Sequence, residues 1–194
     1  MQNCKNKIEH FFESNPAVVQ NYPGLNLSFL LDSFCHFFEL SPLDPTPENS
    51  DIFLDQLKEG RPIQYILKNA FFYRSDFYVD ERVLIPRSET EILVERAASF
   101  LNQLKTTNCN VCEIGVGSFC LGLSLLLDSQ KSVNFIGGDI SKEALEVASI
   151  NLEKHKDELQ NHDIKLILSD RFKSIHGEFD LIVSNPPYIK EMAD

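Results

Sequence analysis

Apolar residues recur at helical spacing early in the chain and at strand spacing later, and this change of period divides it. Up to about Gly60 the apolar positions Ile8, Phe11 and Phe12, then Leu27, Leu30, Leu31, Phe34 and Phe38, form the stripes of helices packed face to face. The run Pro42-Leu43-Asp44-Pro45-Thr46-Pro47 interrupts them, and Asn49 or Ser50 is expected to cap a following helix that Gly60 ends. From Ala70 to Ile85 aromatic and β-branched residues gather around Arg74-Ser75-Asp76, which predicts a short hairpin. Ser88 and Glu91 have capping-box spacing, so a helix is expected from just after Pro86-Arg87 to about Leu104. Strands are then predicted near 110–114, 133–138, 164–168 and 179–183, with helices near 119–128 and 141–156.

That alternation predicts an α/β fold: a parallel sheet with right-handed crossovers, preceded by a small helical domain. The expected organisation is a helical domain over 1–69, a hairpin linker over 70–85 and a sheet domain over 86–194. At 194 residues and 43% apolar content the chain can bury a substantial core. Its apolar runs are shorter than a bilayer span, and Met1-Gln2-Asn3-Cys4-Lys5 lacks the design of a secretory signal, so a cytoplasmic location without a membrane partner is expected. The five cysteines are then expected to be reduced thiols. Cys109 and Cys112 form a C-x2-C pair, but no second pair accompanies it and Cys112 falls in a predicted strand, so no metal site is expected. A formal net charge of −11 without a Lys/Arg cluster argues against nucleic acid as a direct partner.

The candidate chemistry sits at the ends of the predicted strands. Asn185-Pro186-Pro187-Tyr188 follows the apolar run Phe179-Asp180-Leu181-Ile182-Val183-Ser184. Each proline restricts the residue before it, so the Asn185 oxygen and the Pro186 carbonyl are held as two acceptors suited to a planar –NH2 group, and Tyr188 adds an aromatic face. A strand closed by a simple Pro-Pro turn is the competing reading. The first strand of the sheet ends in Glu113-Ile114-Gly115-Val116-Gly117-Ser118, a turn in which glycines let a ligand approach the backbone at a helix N-terminus. The second ends in Gly137-Gly138-Asp139, where a carboxylate can accept from ribose hydroxyls. These two signals fit adenosyl cofactors generally, including NAD. An –NH2 clamp beside them favours S-adenosylmethionine and methyl transfer.

Across most of its length the chain resembles the HemK/PrmC release factor glutamine methyltransferases. The resemblance is carried by Gly60-Arg61-Pro62-Ile63-Gln64-Tyr65-Ile66, by Phe77-Tyr78-Val79, by Val83-Leu84-Ile85-Pro86-Arg87-Ser88-Glu89-Thr90-Glu91, and by Asp139-Ile140-Ser141 with Ala144-Leu145. It implies a Rossmann-like, S-adenosylmethionine-dependent methyltransferase sheet, and a methyl acceptor that is the glutamine amide in the GGQ motif of peptide chain release factors. It implies catalytic roles for Asn185, Pro186, Pro187 and Tyr188, and cofactor contacts from Glu113, Gly115, Gly117, Phe119, Asp139, Asp170, Arg171 and Asn185. Asp170 would face the adenine amine, and the Arg171 plane would stack on the ring. The helical domain would dock the protein substrate.

The chain departs from the family's pattern in three places. Phe119 stands where a third loop glycine is usual and would narrow the cofactor pocket, with Gly122 on the same helix face making room for its ring; Glu113 stands where aspartate is common. The sequence also stops soon after Tyr188, so the sheet is expected to be incomplete at its C-terminal side, with its fourth strand open to self-association. Two other readings are an amino methyltransferase acting on adenine N6 or guanine N2 of a nucleic acid, and a truncated, non-catalytic relative that binds a release factor.

Overall fold

The computed structural model describes residues 2–39 and 43–187, which fall into two compact units, Met1–Asn69 and Ala70–Asp194. The first unit is helical: α1 (Gln2–Ser14), α2 (Pro16–Gln20), α3 (Leu27–Glu39), α4 (Pro47–Lys58) and α5 (Ile63–Leu67). Its core joins Ile8 and Phe11 of α1, Leu30, Phe34 and Phe38 of α3, Phe53, Leu54 and Leu57 of α4, and Ile63 and Ile66 of α5. The Phe34 ring meets Phe38 at 4.9 Å and the edge of Phe53 at 5.8 Å. Helix α4 starts earlier than its sequence suggested. Thr46 is the cap, accepting from the Asn49 N–H at 3.1 Å, and Pro47 takes the first helical position, where a missing N–H costs nothing. Gly60 follows the end of α4 at φ +76°, with its N–H on the Leu57 carbonyl.

The second unit opens with a hairpin, β1 (Ala70–Phe72) and β2 (Ser75–Phe77), whose turn is Tyr73-Arg74, one residue before the expected centre. Phe72 and Phe77 from this hairpin are fully enclosed in the core of the unit. After a stretch that turns at Glu81-Arg82 come a 3-10 turn over Ser88–Thr90, α6 (Glu91–Gln103), β3 (Asn108–Ile114), α7 (Cys120–Asp128), β4 (Ser132–Asp139), α8 (Lys142–Lys154), a second 3-10 turn over Lys156–Glu158, β5 (Asp163–Leu168) and β6 (Leu181–Ser184). The four later strands form one wholly parallel sheet in the order β5-β4-β3-β6. Strand β3 buries Cys109, Val111 and Cys112 and strand β4 buries Val133 and Phe135, as central strands of a parallel sheet covered on its faces do. Strand β6 begins two residues later than its apolar run. Asp180 instead ties the entry to β3, its N–H on the Asn110 carbonyl and its carboxylate accepting from the Asn110 N–H, both at 2.8 Å.

The capping box expected at Ser88 and Glu91 is not formed. Ser88 begins the 3-10 turn, and the Glu91 carboxylate accepts from the backbone N–H of Tyr73 at 3.0 Å, so it holds the hairpin. Cys109 and Cys112 are both buried within β3, and burial pushes the Cys112 thiol up to about 11. Among the described residues no group of His, Cys, Asp or Glu is placed to hold a metal ion, and no helix is long and apolar enough to cross a membrane.

Candidate active site at the strand tips

The parallel register brings four chain segments to one edge of the sheet. Ile114 pairs with both Gly138 and Ser184, and Asp139 pairs with Leu168, so the C-terminal ends of β3, β4, β5 and β6 lie side by side. Strand β3 has β4 on one flank and β6 on the other. Chains leaving two such neighbours after a reversal of strand order diverge, which is where open α/β sheets form a crevice.

Gly115 and Gly117 both adopt positive φ, +77° and +52°, and a Cβ built on either would meet nothing within 4 Å. The loop therefore needs glycine for its conformation, and it leaves open space beside the backbone. It is anchored to the next strand tip: the N–H groups of Gly115 and Val116 donate to the Gly138 carbonyl, and that of Gly117 donates to the Asp139 carboxylate at 2.9 Å. The other Asp139 oxygen accepts from the Ser141 N–H at 2.9 Å, and the Ser141 hydroxyl caps α8 through the Ala144 N–H. One carboxylate thus bridges two loops, and each of its oxygens retains a further lone pair.

Phe119 follows at φ +67° and turns its ring inward. The side chain is fully buried against Phe135, with ring centroids 5.3 Å apart, so the ring expected to narrow the cleft is part of the core instead. Gly122 makes this possible. A Cβ there would lie 2.3 Å from the Phe119 ring, 2.4 Å from Glu113 Oε2 and 2.6 Å from the Phe135 ring. Glu113 is enclosed in the same place; the Gly122 N–H serves its carboxyl, while Oε2 has no partner among the described residues. Burial pushes its carboxyl well above the usual range, against the pull of the Gly122 N–H, and the Asp139 charge adds to the rise.

At the tip of β5, Ser169 donates its backbone N–H to the Asp139 carbonyl and its hydroxyl to the Arg171 carbonyl, while accepting from the Ser174 N–H. Asp170 is flanked by Lys173 at 2.6 Å and Arg171 at 3.1 Å, which hold its carboxyl below the ordinary value. Arg171 adopts φ +54°, and its guanidinium is largely exposed.

At the tip of β6, the Ser184 hydroxyl donates to the Ile114 carbonyl at 2.8 Å, fastening the tips of β6 and β3 together. Asn185 donates from Nδ2 to Thr90 Oγ1 at 2.7 Å. Pro186 and Pro187 follow, both exposed, and Tyr188 lies outside the described residues. Thr90, Ser169 and Ser184 lie in segments that the sequence reading marked without giving these residues a role, and Asn151 was not singled out. Asn151 is fully buried on α8; its amide donates to the carbonyls of Tyr78 and Ser118 and accepts from the Tyr78 N–H. Its signal was a polar residue on the apolar stripe of Ala144, Val147 and Ala148.

Comparison with known proteins gives this edge a context. The methyltransferase small domain family matches residues 92–194. A relative from Leptospira interrogans named release factor glutamine methyltransferase is 46% identical over 140 residues, covering 68% of this chain and 45% of its own. One of the same name from Dictyoglomus turgidum is 38% identical over 198 residues, covering 95% of this chain and 64% of its own. A ribosomal protein uL3 glutamine methyltransferase from Francisella tularensis is 38% identical over 131 residues, covering 66% of this chain and 40% of its own. The chain spans about half the length of most of the relatives it matches. Because the family match takes in more than half of the sequence, including the glycine loop, Asp139 and Asn185, the chain belongs to the methyltransferase small domain family.

Proposed function

We propose that this protein transfers a methyl group from S-adenosylmethionine to a side-chain amide nitrogen, that of the glutamine in the GGQ motif of peptide chain release factors. The observation that carries the reading is the position of Asn185, at the end of β6 and one strand away from the open glycine loop of β3. The residues at the strand tips fit the cofactor. Gly115 and Gly117 leave room beside their backbone, Asp139 has acceptor capacity for ribose hydroxyls, and Asp170 is kept ionised where an adenine amine would need an acceptor. When bound, S-adenosylmethionine supplies an electrophilic methyl group on a sulfonium sulfur.

What this chain supplies is orientation and charge. An amide nitrogen is a poor nucleophile because its lone pair is delocalised. The Asn185 oxygen and the Pro186 carbonyl accept from the incoming –NH2, and these contacts strengthen as positive charge develops on nitrogen. No base is needed before transfer. The proton leaves for solvent once the carbon–nitrogen bond has formed. Holding the amide in line with the sulfonium methyl accounts for much of the remaining acceleration. The helical unit over 1–69 is the part that docks the protein substrate, and the setting is translation termination in the cytoplasm.

Names of relatives at about 40% identity support this substrate. The net charge of −11 disfavours a nucleic-acid base as acceptor. Enclosure of Phe119 in the core removes one reason for reading the chain as a non-catalytic relative. The relative named for ribosomal protein uL3 favours a glutamine in that protein as the second reading. Incubation with methyl-labelled cofactor and either release factor or uL3, followed by peptide mapping, separates the two. Label on the GGQ glutamine is expected, and Asn185→Ala should lower the single-turnover rate on the order of 10²-fold with little effect on cofactor affinity by comparison. Label confined to uL3 or RNA, or a near-normal rate for the variant, would overturn the reading.

A further inference from the structure

Thr90 occupies the N-cap position of α6 but makes no capping hydrogen bond. Its backbone is helical, φ −71° and ψ −20°, because it also closes the preceding 3-10 turn, whereas a capping side chain needs an extended backbone to reach the first-turn N–H groups. The hydroxyl faces the tip of β6 instead, where Oγ1 accepts from Asn185 Nδ2 at 2.7 Å. Thr90 is buried, 9% exposed, and Asn185 is half-buried, so water reaches this contact only from the Asn185 side.

A primary amide carries its donor and its acceptor on opposite sides of one carbon. A threonine hydroxyl can accept from Nδ2 or donate to Oδ1; here it accepts from Nδ2, which leaves Oδ1 on the far side of the amide. With Nδ2 turned toward the start of α6, Oδ1 is turned the other way, and a half-turn about the last side-chain bond would exchange them. An Asn185 in the exchanged orientation would present a donor to an incoming –NH2, which is itself a donor. We propose that Thr90 is a positioning residue that anchors the Asn185 amide at the tip of β6 in the orientation that turns Oδ1 toward the methyl acceptor. The proposal rests on the methyl-transfer reading of Asn185.

Three variants and two independent readouts test it. Thr90→Val keeps the shape and removes the hydroxyl; Thr90→Ser keeps the hydroxyl; Thr90→Cys, close in size, replaces Val if that variant melts early. The first readout is the single-turnover methylation rate beside cofactor affinity by calorimetry. Thr90→Val should lose roughly 10- to 100-fold in rate, the range for a misplaced catalytic contact, with cofactor affinity unchanged, and Thr90→Ser should recover most of it. The second readout needs no activity: the Asn185 side-chain NH2 signals in a 1H–15N spectrum, assigned by their loss in Asn185→Asp, should shift and exchange faster in Thr90→Val but not in Thr90→Ser. A normal rate, a loss that serine fails to restore, or unmoved NH2 signals would overturn the role of Thr90. A wild-type protein that methylates no release factor would overturn the underlying reading instead, and the NH2 signals would still decide whether Thr90 orients Asn185.

Discussion

Replacing Gly122 with alanine tests the packing beneath the glycine loop. In an open helix this change is favourable by about 1 kcal/mol, because alanine loses less backbone entropy. Here the added methyl would stand 2.3 Å from the Phe119 ring, 2.4 Å from Glu113 Oε2 and 2.6 Å from the Phe135 ring, all shorter than real Cβ contacts. Two of these neighbours are rigid rings; Glu113 Oε2 ends a flexible side chain, but none of the three residues is more than 2% exposed, so each is confined by its surroundings. Overpacking of this kind costs about 1–3 kcal/mol, and three simultaneous clashes place the site at the upper end. Gly122→Ala should thus destabilise the protein by about 2 kcal/mol after the gain in helix propensity, measured as a lower urea midpoint at unchanged slope. The cause can be isolated with Phe119→Gly, which removes the clashing ring and relaxes the positive φ, at the expense of a cavity. In the double variant the methyl occupies part of that cavity, so the combined loss should fall short of the sum by about 1 kcal/mol or more. A Gly122→Ala protein as stable as the original, or strict additivity of the two changes, would refute the account of Gly122 as space reserved for Phe119.

Two further outcomes follow from the same edge of the sheet. Asp139→Ala should weaken S-adenosylmethionine or S-adenosylhomocysteine binding by about 1.5–3 kcal/mol in calorimetry, the range for hydrogen bonds to a charged group; unchanged affinity would confine Asp139 to tying Gly117 to Ser141. Glu113 binds its proton more tightly folded than unfolded, so it is expected to reduce stability progressively as pH rises above the ordinary glutamate range. Glu113→Gln should flatten that decline in denaturation curves collected across pH, and equal slopes for both proteins would show that the buried carboxyl does not titrate upward.

Much of the second unit was legible because strand period and glycine turns are local signals. The four sheet strands and their intervening helices fall within a few residues of expectation, and Asp139 stands at the tip of β4 as its place after Gly137-Gly138 implied. The misreadings have identifiable causes as well. Asn49 and Ser50 looked like caps, yet Pro47 prefers the first helical position and so promotes Thr46. Glu91 had the spacing of a capping box, but the Tyr73 N–H, distant in sequence, competes for its carboxylate. Phe119 sits in a loop whose neighbours face open space, and its left-handed backbone, invisible to spacing rules, turns it into the core. Thr90 and Asn151 act through partners far along the chain, and only the fold reveals such pairings.

Asn151 has a mechanical consequence. Its single amide fastens the extended segment at Tyr78 and the end of the glycine loop at Ser118 to the same helix. Neither segment can open by itself without stranding a buried polar group, so the two behave as one cooperative unit in local unfolding. Free energy contributed by any ligand at the glycine loop is then shared with Tyr78, well upstream, and appears there as resistance to opening.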